Sequence, residues 1–185
     1  MKRSTLILVA VLAAAAIAAC TKQSLQTTFD KQTNYIESFI STRMKADSTA
    51  TLTRNGGAYR VTLHDTLPPQ RDSLKWGGKV SLYYGCFVLT SASVSSSNLI
   101  ATNFKDLARQ AGWSLSDTTR FKLDTLTLDS SLLPGLADGL VGVQPQDEGC
   151  ILFTGKYGYG KNERGMIPAL SALAYYIWID EIFNE

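Results

Sequence analysis

Histidine and cysteine are scarce in this chain: 185 residues hold one histidine, His64, and three cysteines. That shortage argues against the usual His/Cys zinc sites and against Ser-His-Asp hydrolysis. An excess of one charge sign is also missing. Eighteen Lys and Arg stand against 16 Asp and Glu, a formal net charge of +2. No element gathers the basic residues, so nucleic acid is not an expected partner. Charged residues make up only 18% of the chain and hydrophobic ones 45%. That balance excludes a disordered, collagenous or coiled-coil chain and fits one globular domain with additions. No nucleophile–base pair, metal set or phosphate loop stands out, so no cofactor and no metal are expected.

The amino terminus shifts this arithmetic. Lys2 and Arg3 precede an uncharged apolar run, Leu6 to Ala19, too short for a comfortable membrane span and of the form of a secretory leader. It ends Ile17-Ala18-Ala19-Cys20, which resembles a bacterial lipobox. The resemblance implies removal of residues 1–19 and lipidation of Cys20. Without Lys2 and Arg3 the basic residues fall to 16, level with the 16 acidic ones, so the slight basicity belongs to the leader. Acyl chains on Cys20 would hold the protein on a membrane surface rather than across it. Thr21 and Lys22 follow, with no acidic residue, which favours the outer membrane and its periplasmic face. In that oxidising compartment Cys86 and Cys150 could pair. Each also sits in an apolar strand-like segment, an ordinary place for a buried free thiol, and both readings stay open.

Downstream, Phe29, Tyr35, Ile36, Phe39, Ile40 and Met44 recur at steps of three and four, one apolar stripe on a helix that docks on the domain. Asn55-Gly56-Gly57 marks a turn. Tyr59, Val61 and Leu63 then alternate with Arg60, Thr62 and His64, which puts His64 on the polar face of a strand. Pro68-Pro69 and Gly77-Gly78 bracket a loop. In the strand from Lys79 to Leu89, Val80, Leu82 and Tyr84 share one face, while Ser81, Tyr83 and Gly85 share the other. The serines from Ser91 to Ser97 form a loop. Leu99 to Thr102 is a short apolar segment, and Asn103 is placed to cap a helix that stops at Gly112. Phe121 to Leu128 alternates again. Leu132 to Leu140 reads as a short helix broken by Pro134, Gly135 and Gly139. Cys150 to Phe153 and Leu170 to Ile182 are strands, with a Gly/Tyr-rich loop, Lys156 to Pro168, between them. The pattern is an α+β fold, an antiparallel sheet wrapped on a short helix with an extra N-terminal helix. Its expected divisions are a leader at 1–19, an anchor segment and helix at 20–56, and the sheet domain at 57–185.

The richest stretch begins at Leu132. Leu133-Pro134-Gly135-Leu136, Gly139-Leu140, Lys156-Tyr157-Gly158-Tyr159-Gly160, Ile167-Pro168 and Ser171-Ala172-Leu173-Ala174-Tyr175 occur in that order. Together with Val80-Ser81-Leu82-Tyr83-Tyr84-Gly85 upstream, they resemble the FKBP-type peptidyl-prolyl cis-trans isomerase pattern over Gly57 to Ile182. The resemblance implies an isomerase or folding assistant for proline-containing polypeptides of the cell envelope. Tyr159 would be its catalytic hydrogen-bond donor. Tyr83, Ile100, Phe121, Leu133, Leu136, Ile167 and Tyr175 would bind substrate, with Leu136 as the pocket floor, Tyr175 as a wall and Leu133 offering its N–H. Phe121 and Leu123 compete for one aromatic position.

There are departures. Ile100 stands for a phenylalanine, Ala101 for the aspartate that orients the pocket in active members, and Tyr175 for a phenylalanine. Gln146 stands for a glycine and Ala169 for a second proline. These departures favour one alternative, a catalytically weak or inactive FKBP-like lipoprotein that binds polypeptide as a chaperone; another, of a different class, is a structural lipoprotein whose first helix docks a membrane complex.

Overall fold

A computed structural model describes the backbone of residues 2–63 and 72–184, with side chains from residue 23 onward. His64, Pro68 and Pro69 lie outside the described residues, as does the side chain of Cys20. Helix α1 (Lys2–Ala46) is followed by strands β1 (Thr51–Asn55), β2 (Ala58–Leu63), β3 (Lys79–Val88) and β4 (Leu99–Thr102). Then come helix α2 (Lys105–Gln110), strand β5 (Asp124–Thr127), helix α3 (Pro134–Leu140), and strands β6 (Glu148–Phe153) and β7 (Leu173–Phe183). The chain divides into two compact units, Met1–Lys31 and Gln32–Glu185. The first is helical, with Gln26 donating to Asp30 one turn on. The second holds every strand.

The sheet of this second unit is antiparallel throughout, in the order β1-β2-β6-β7-β3-β4, with β5 pairing the first half of β3 and β4 the second. Both faces of the sheet are buried. Val80, Leu82, Cys86, Ile151, Phe153, Leu173 and Ile177 meet α3 in one cluster. Val61, Phe87, Cys150, Leu152 and Ala174 on the opposite face meet Ile36, Phe39 and Ile40 of α1 in another. The alternation along β3 and β7 thus sorts side chains between two cores rather than between core and water. The apolar stripe of α1 supplies the second cover, and Arg43 donates from it to the Tyr176 hydroxyl at 2.5 Å.

Two cysteines are thereby separated. Cys86 on β3 lies opposite Tyr175, and Cys150 on β6 lies opposite Tyr176, with β7 running between the two strands. Two strand spacings are about 9.5 Å, whereas a disulfide spans a Cα separation of at most about 7 Å. The thiols also face different cores, so they do not pair; both are free and buried.

Three local expectations change. The stretch Leu132–Leu140 is not broken: Pro134 occupies the first turn of α3, where no N–H is needed, and the glycines are contact points. A Cβ on Gly135 would fall 2.2 Å from the ring of Phe153, and one on Gly139 would fall 2.2 Å from Ile151. Asn103 does not cap α2, whose first turn comes after Phe104 without a side-chain cap. Its amide accepts from Tyr84 N at 2.6 Å and donates to Leu82 O and Lys122 O, each at 3.0 Å, which ties β3 to the segment leading into β5. Arg60, expected on a polar face, is 8% exposed. It donates to Gly139 O at 2.9 Å and Val141 O at 2.7 Å, satisfying carbonyls at the C-terminus of α3 with a favourably placed cation.

Candidate functional site

Between α3 and the concave face of the sheet lies a cavity of about 260 Å³. Leu136 of α3 forms its floor, and Leu82, Leu126 and Leu132 add apolar surface. Three tyrosines line it: Tyr84 from β3, Tyr175 from β7 and Tyr159 from the loop between β6 and β7. Ala101 and Asp124 complete the rim. Past Asp124 the cavity adjoins a polar recess of about 250 Å³ that shares Tyr84 and Ala101 and is bordered by Arg120 and Lys122.

Each wall has a local reason to be where it is. Helix α3 lies close to the sheet because Gly135 and Gly139 offer no side chain against Phe153 and Ile151. Its far side is held by the β1–β2 turn, where Gly57 N donates to the Asp138 carboxylate at 2.9 Å and Asn55 donates to Asp138 O at 3.0 Å. The Tyr175 ring lies between Phe153, at 6.0 Å and nearly parallel, and Tyr84, at 6.2 Å. The Tyr175 hydroxyl is hydrogen-bonded to the Cys86 thiol, and burial pushes that thiol up to about 12. Burial likewise raises Tyr175 far above the ordinary phenol range, and it raises Tyr84, to which the Asp124 carboxylate adds. All three groups therefore stay protonated and neutral at physiological pH.

Two donors stand unspent, one in the cavity lining and one in the chain beside it. Among the described residues none accepts from the hydroxyl of Tyr159 or from the N–H of Leu133, which lies between the lining residues Leu132 and Leu136. An apolar hollow with hydroxyl and amide donors at its margin suits a small apolar ring flanked by peptide carbonyls. Among the described residues no three of His, Cys, Asp and Glu gather closely enough to hold a metal ion.

Of the residues singled out in the sequence, Leu136, Tyr159 and Tyr175 line the cavity together. Leu133, Ile100 and Ile167 pack against the core beneath it without lining it. Phe121 closes the short turn Thr118–Arg120 and does not line the cavity; Asp124 and Leu126 from β5 stand there instead. Tyr83 is a correction. Its ring packs against Phe104, at 5.7 Å, and Phe104 in turn packs on Trp178, on the face of β3 away from the cavity. The neighbour Tyr84 takes the place, because Val80, Leu82 and Tyr84 share one parity along the strand. That alternation is visible in the sequence, and it is the signal that would have found Tyr84. Asp124 had no such signal, since a carboxylate at the end of a short strand marks nothing by itself.

No protein-family model matches this sequence, and no curated protein does so at a significant level. Solved structures do. The structure of the three FKBP domains of wheat FKBP73 superposes with a TM-score of 0.57 at 11% identity, over 74% of this chain and 52% of that one. A peptidyl-prolyl cis-trans isomerase from Pseudomonas syringae pv. tomato gives 0.53 at 12% identity, over 85% and 96% of the two chains. FkpA from Escherichia coli gives 0.51 at 15%, over 93% and 70%. The fold is the FKBP fold. This chain spans about half the length of the wheat chain that it matches, and at such identities the likeness is one of architecture. In the FKBP fold adopted here, α3 is the short helix on which the sheet wraps, and the cavity lies between the two.

Proposed function

We propose that this chain is a peptidyl-prolyl cis-trans isomerase that assists folding of cell-envelope proteins. The observation that carries the reading is the cavity itself: an apolar hollow on an FKBP fold, floored by Leu136, with unspent donors at Tyr159 and Leu133. Rotation about an X-Pro bond faces a barrier of about 20 kcal/mol. At the twisted geometry the amide has lost resonance and its C–N bond is less polar. A dry pocket that holds this form better than either planar form lowers the barrier with no proton transfer and no covalent intermediate. In this reading the proline ring rests on Leu136 between Tyr84 and Tyr175. The Tyr159 hydroxyl donates to the substrate carbonyl, and Leu133 N–H holds the peptide backbone.

The test is the cis/trans exchange rate of a short X-Pro peptide with the full-length chain. Acceleration is expected at micromolar protein. Leu136→Ala and Tyr159→Phe should each lower kcat/KM by about tenfold, the scale of one lost packing or hydrogen-bond contact. No acceleration by a folded chain would overturn the enzyme reading.

Ala101 favours a second reading, a polypeptide-binding FKBP-fold protein without catalysis. The carboxylate at the cavity is Asp124, which is exposed at the rim and makes no hydrogen bond to a pocket hydroxyl among the described residues. Such a protein would suppress aggregation of an unfolded client while leaving the X-Pro rate unchanged, and Ala101→Asp would raise that rate.

We further propose that acyl chains on Cys20 hold the protein at the outer membrane, facing the periplasm. The support is the sequence Ile17-Ala18-Ala19-Cys20 after a charged start. In a bacterial host given radiolabelled palmitate, the chain should take up label and sediment with membranes, and Cys20→Ala should do neither. A Cys20→Ala chain that keeps the label sinks the assignment.

A further inference from the structure

The loop that presents Tyr159 leaves the sheet after Phe153 and returns at Leu173. Its two ends meet. Gly155 is so close to Leu170 that a Cβ on it would lie 2.3 Å from the Leu170 carbonyl oxygen. Inside the loop, Gly160 N donates to Gly155 O at 3.0 Å and Leu170 N donates to Gly160 O at 2.6 Å. Leu170 itself has a φ of +60°, the left-handed region that a leucine rarely adopts, so its conformation has to be held from outside. One side chain does this. The Gln32 amide, on α1, accepts from Gly155 N at 2.9 Å and donates to Leu170 O at 2.6 Å. It bridges both ends of the loop at once, from a position one turn before Ile36, on the stripe that buries Ile36, Phe39 and Ile40 against the sheet. A glutamine in an otherwise apolar stripe has this specific task.

We propose that Gln32 is a positioning residue for Tyr159, which makes the helix ahead of the sheet a working part of the cavity. The proposal rests on Tyr159 as the donor to substrate. Without the clamp the loop samples open forms, and only the fraction with Tyr159 in place binds productively. Bound substrate restores that form, so the loss falls on KM rather than on kcat.

The experiment uses the full-length chain with Gln32→Ala, Gln32→Glu and Arg54→Ala. The last removes the exposed Arg54–Glu37 pair between α1 and β1 and leaves the loop alone. Two readouts are taken, the amide hydrogen exchange of Gly160 and Leu170 and the kinetics on an X-Pro peptide. In Gln32→Ala both amides should exchange about tenfold faster, and KM should rise about tenfold with kcat within about twofold, the scale of one or two lost neutral hydrogen bonds. Adding Tyr159→Phe to Gln32→Ala should cost little more, since both remove the same contact. Gln32→Glu keeps the acceptor for Gly155 but sets a carboxylate oxygen against Leu170 O. It should move both readouts in the same direction, and it serves if the alanine variant does not fold. Arg54→Ala should move neither. A folded Gln32→Ala chain with unchanged exchange and KM overturns the proposal, and so does full additivity with Tyr159→Phe. If the wild-type chain accelerates no peptide, the isomerase reading falls while the exchange rates still decide whether Gln32 holds the loop.

Discussion

Gly135→Ala should lower the melting temperature by about 5–10 °C, corresponding to a loss of about 2–3 kcal/mol. Alanine is the better helix former by about 1 kcal/mol, so propensity alone would make the chain more stable. Contact decides the sign. The new methyl would lie 2.2 Å from the Phe153 ring, 2.6 Å from a second ring carbon and 2.7 Å from the Phe153 Cβ. Phe153 is fully buried in the core and has no free space to swing into. Helix α3 has to retreat instead, which pulls Gly139 O and Val141 O from Arg60 and Asp138 from the β1–β2 turn. Leu136 would retreat with it, so peptide binding should weaken alongside stability. Phe153→Leu in the same chain makes room, and the double variant should lose less than the sum of the two single changes. Thermal unfolding followed by circular dichroism checks both outcomes. A Gly135→Ala chain as stable as wild type would show that α3 does not press on Phe153.

Alkaline conditions should destabilise the chain steeply, beginning near pH 9. Burial pushes Cys86 and Cys150 each up to about 12, against about 8.5 for a thiol in an unfolded chain. Above that lower value the unfolded state gives up protons that the folded state keeps. The stability each thiol contributes is therefore fully present below about pH 8.5 and drains away as the pH rises toward 12. Both thiols act in the same direction across that window, so the decline steepens with each. Tyr175 and Tyr176, raised by the same burial, push the same way above about pH 10. Urea midpoints should be level from pH 7 to 8.5 and then fall. Cys150→Ala should flatten the decline, and a thiol reagent at pH 8 should modify neither cysteine until the chain unfolds. Midpoints that hold steady to pH 10.5 would rule out this account of the two thiols.

Much of the fold was legible in the sequence because its signals are periodic. The alternation of β3 and β7, the stripe of α1 and the helix from Pro134 all report a buried face directly. The loss came where a spacing was read without its face. Tyr83 fits a motif counted back from Gly85, yet Val80 and Leu82 already fix which side of the strand is inside, and that side carries Tyr84. Polar residues misled for a different reason. Asn103 reads as an ordinary cap and Gln32 as one polar residue in the apolar stripe of α1, but their amides bind backbone groups at long range: Asn103 about twenty residues away, Gln32 well over a hundred. Local sequence carries no trace of such a partner. Asp124 reaches the cavity only because β5 pairs with the first half of β3, a tertiary fact. The same holds for the thiols, whose failure to pair comes from β7 lying between their strands.

The clamp at Gln32 and the stripe behind it also set how the polypeptide can be trimmed. A fragment starting at Gly57 would contain nearly the whole sheet, α3 and every lining residue of the cavity. It would nonetheless bare Phe87, Leu152 and Ala174 to water and release β2 from β1, leaving a sticky apolar surface beside an open strand edge. Such a fragment should come out of cells as inclusion bodies, and one beginning ahead of Gln32 should come out in solution.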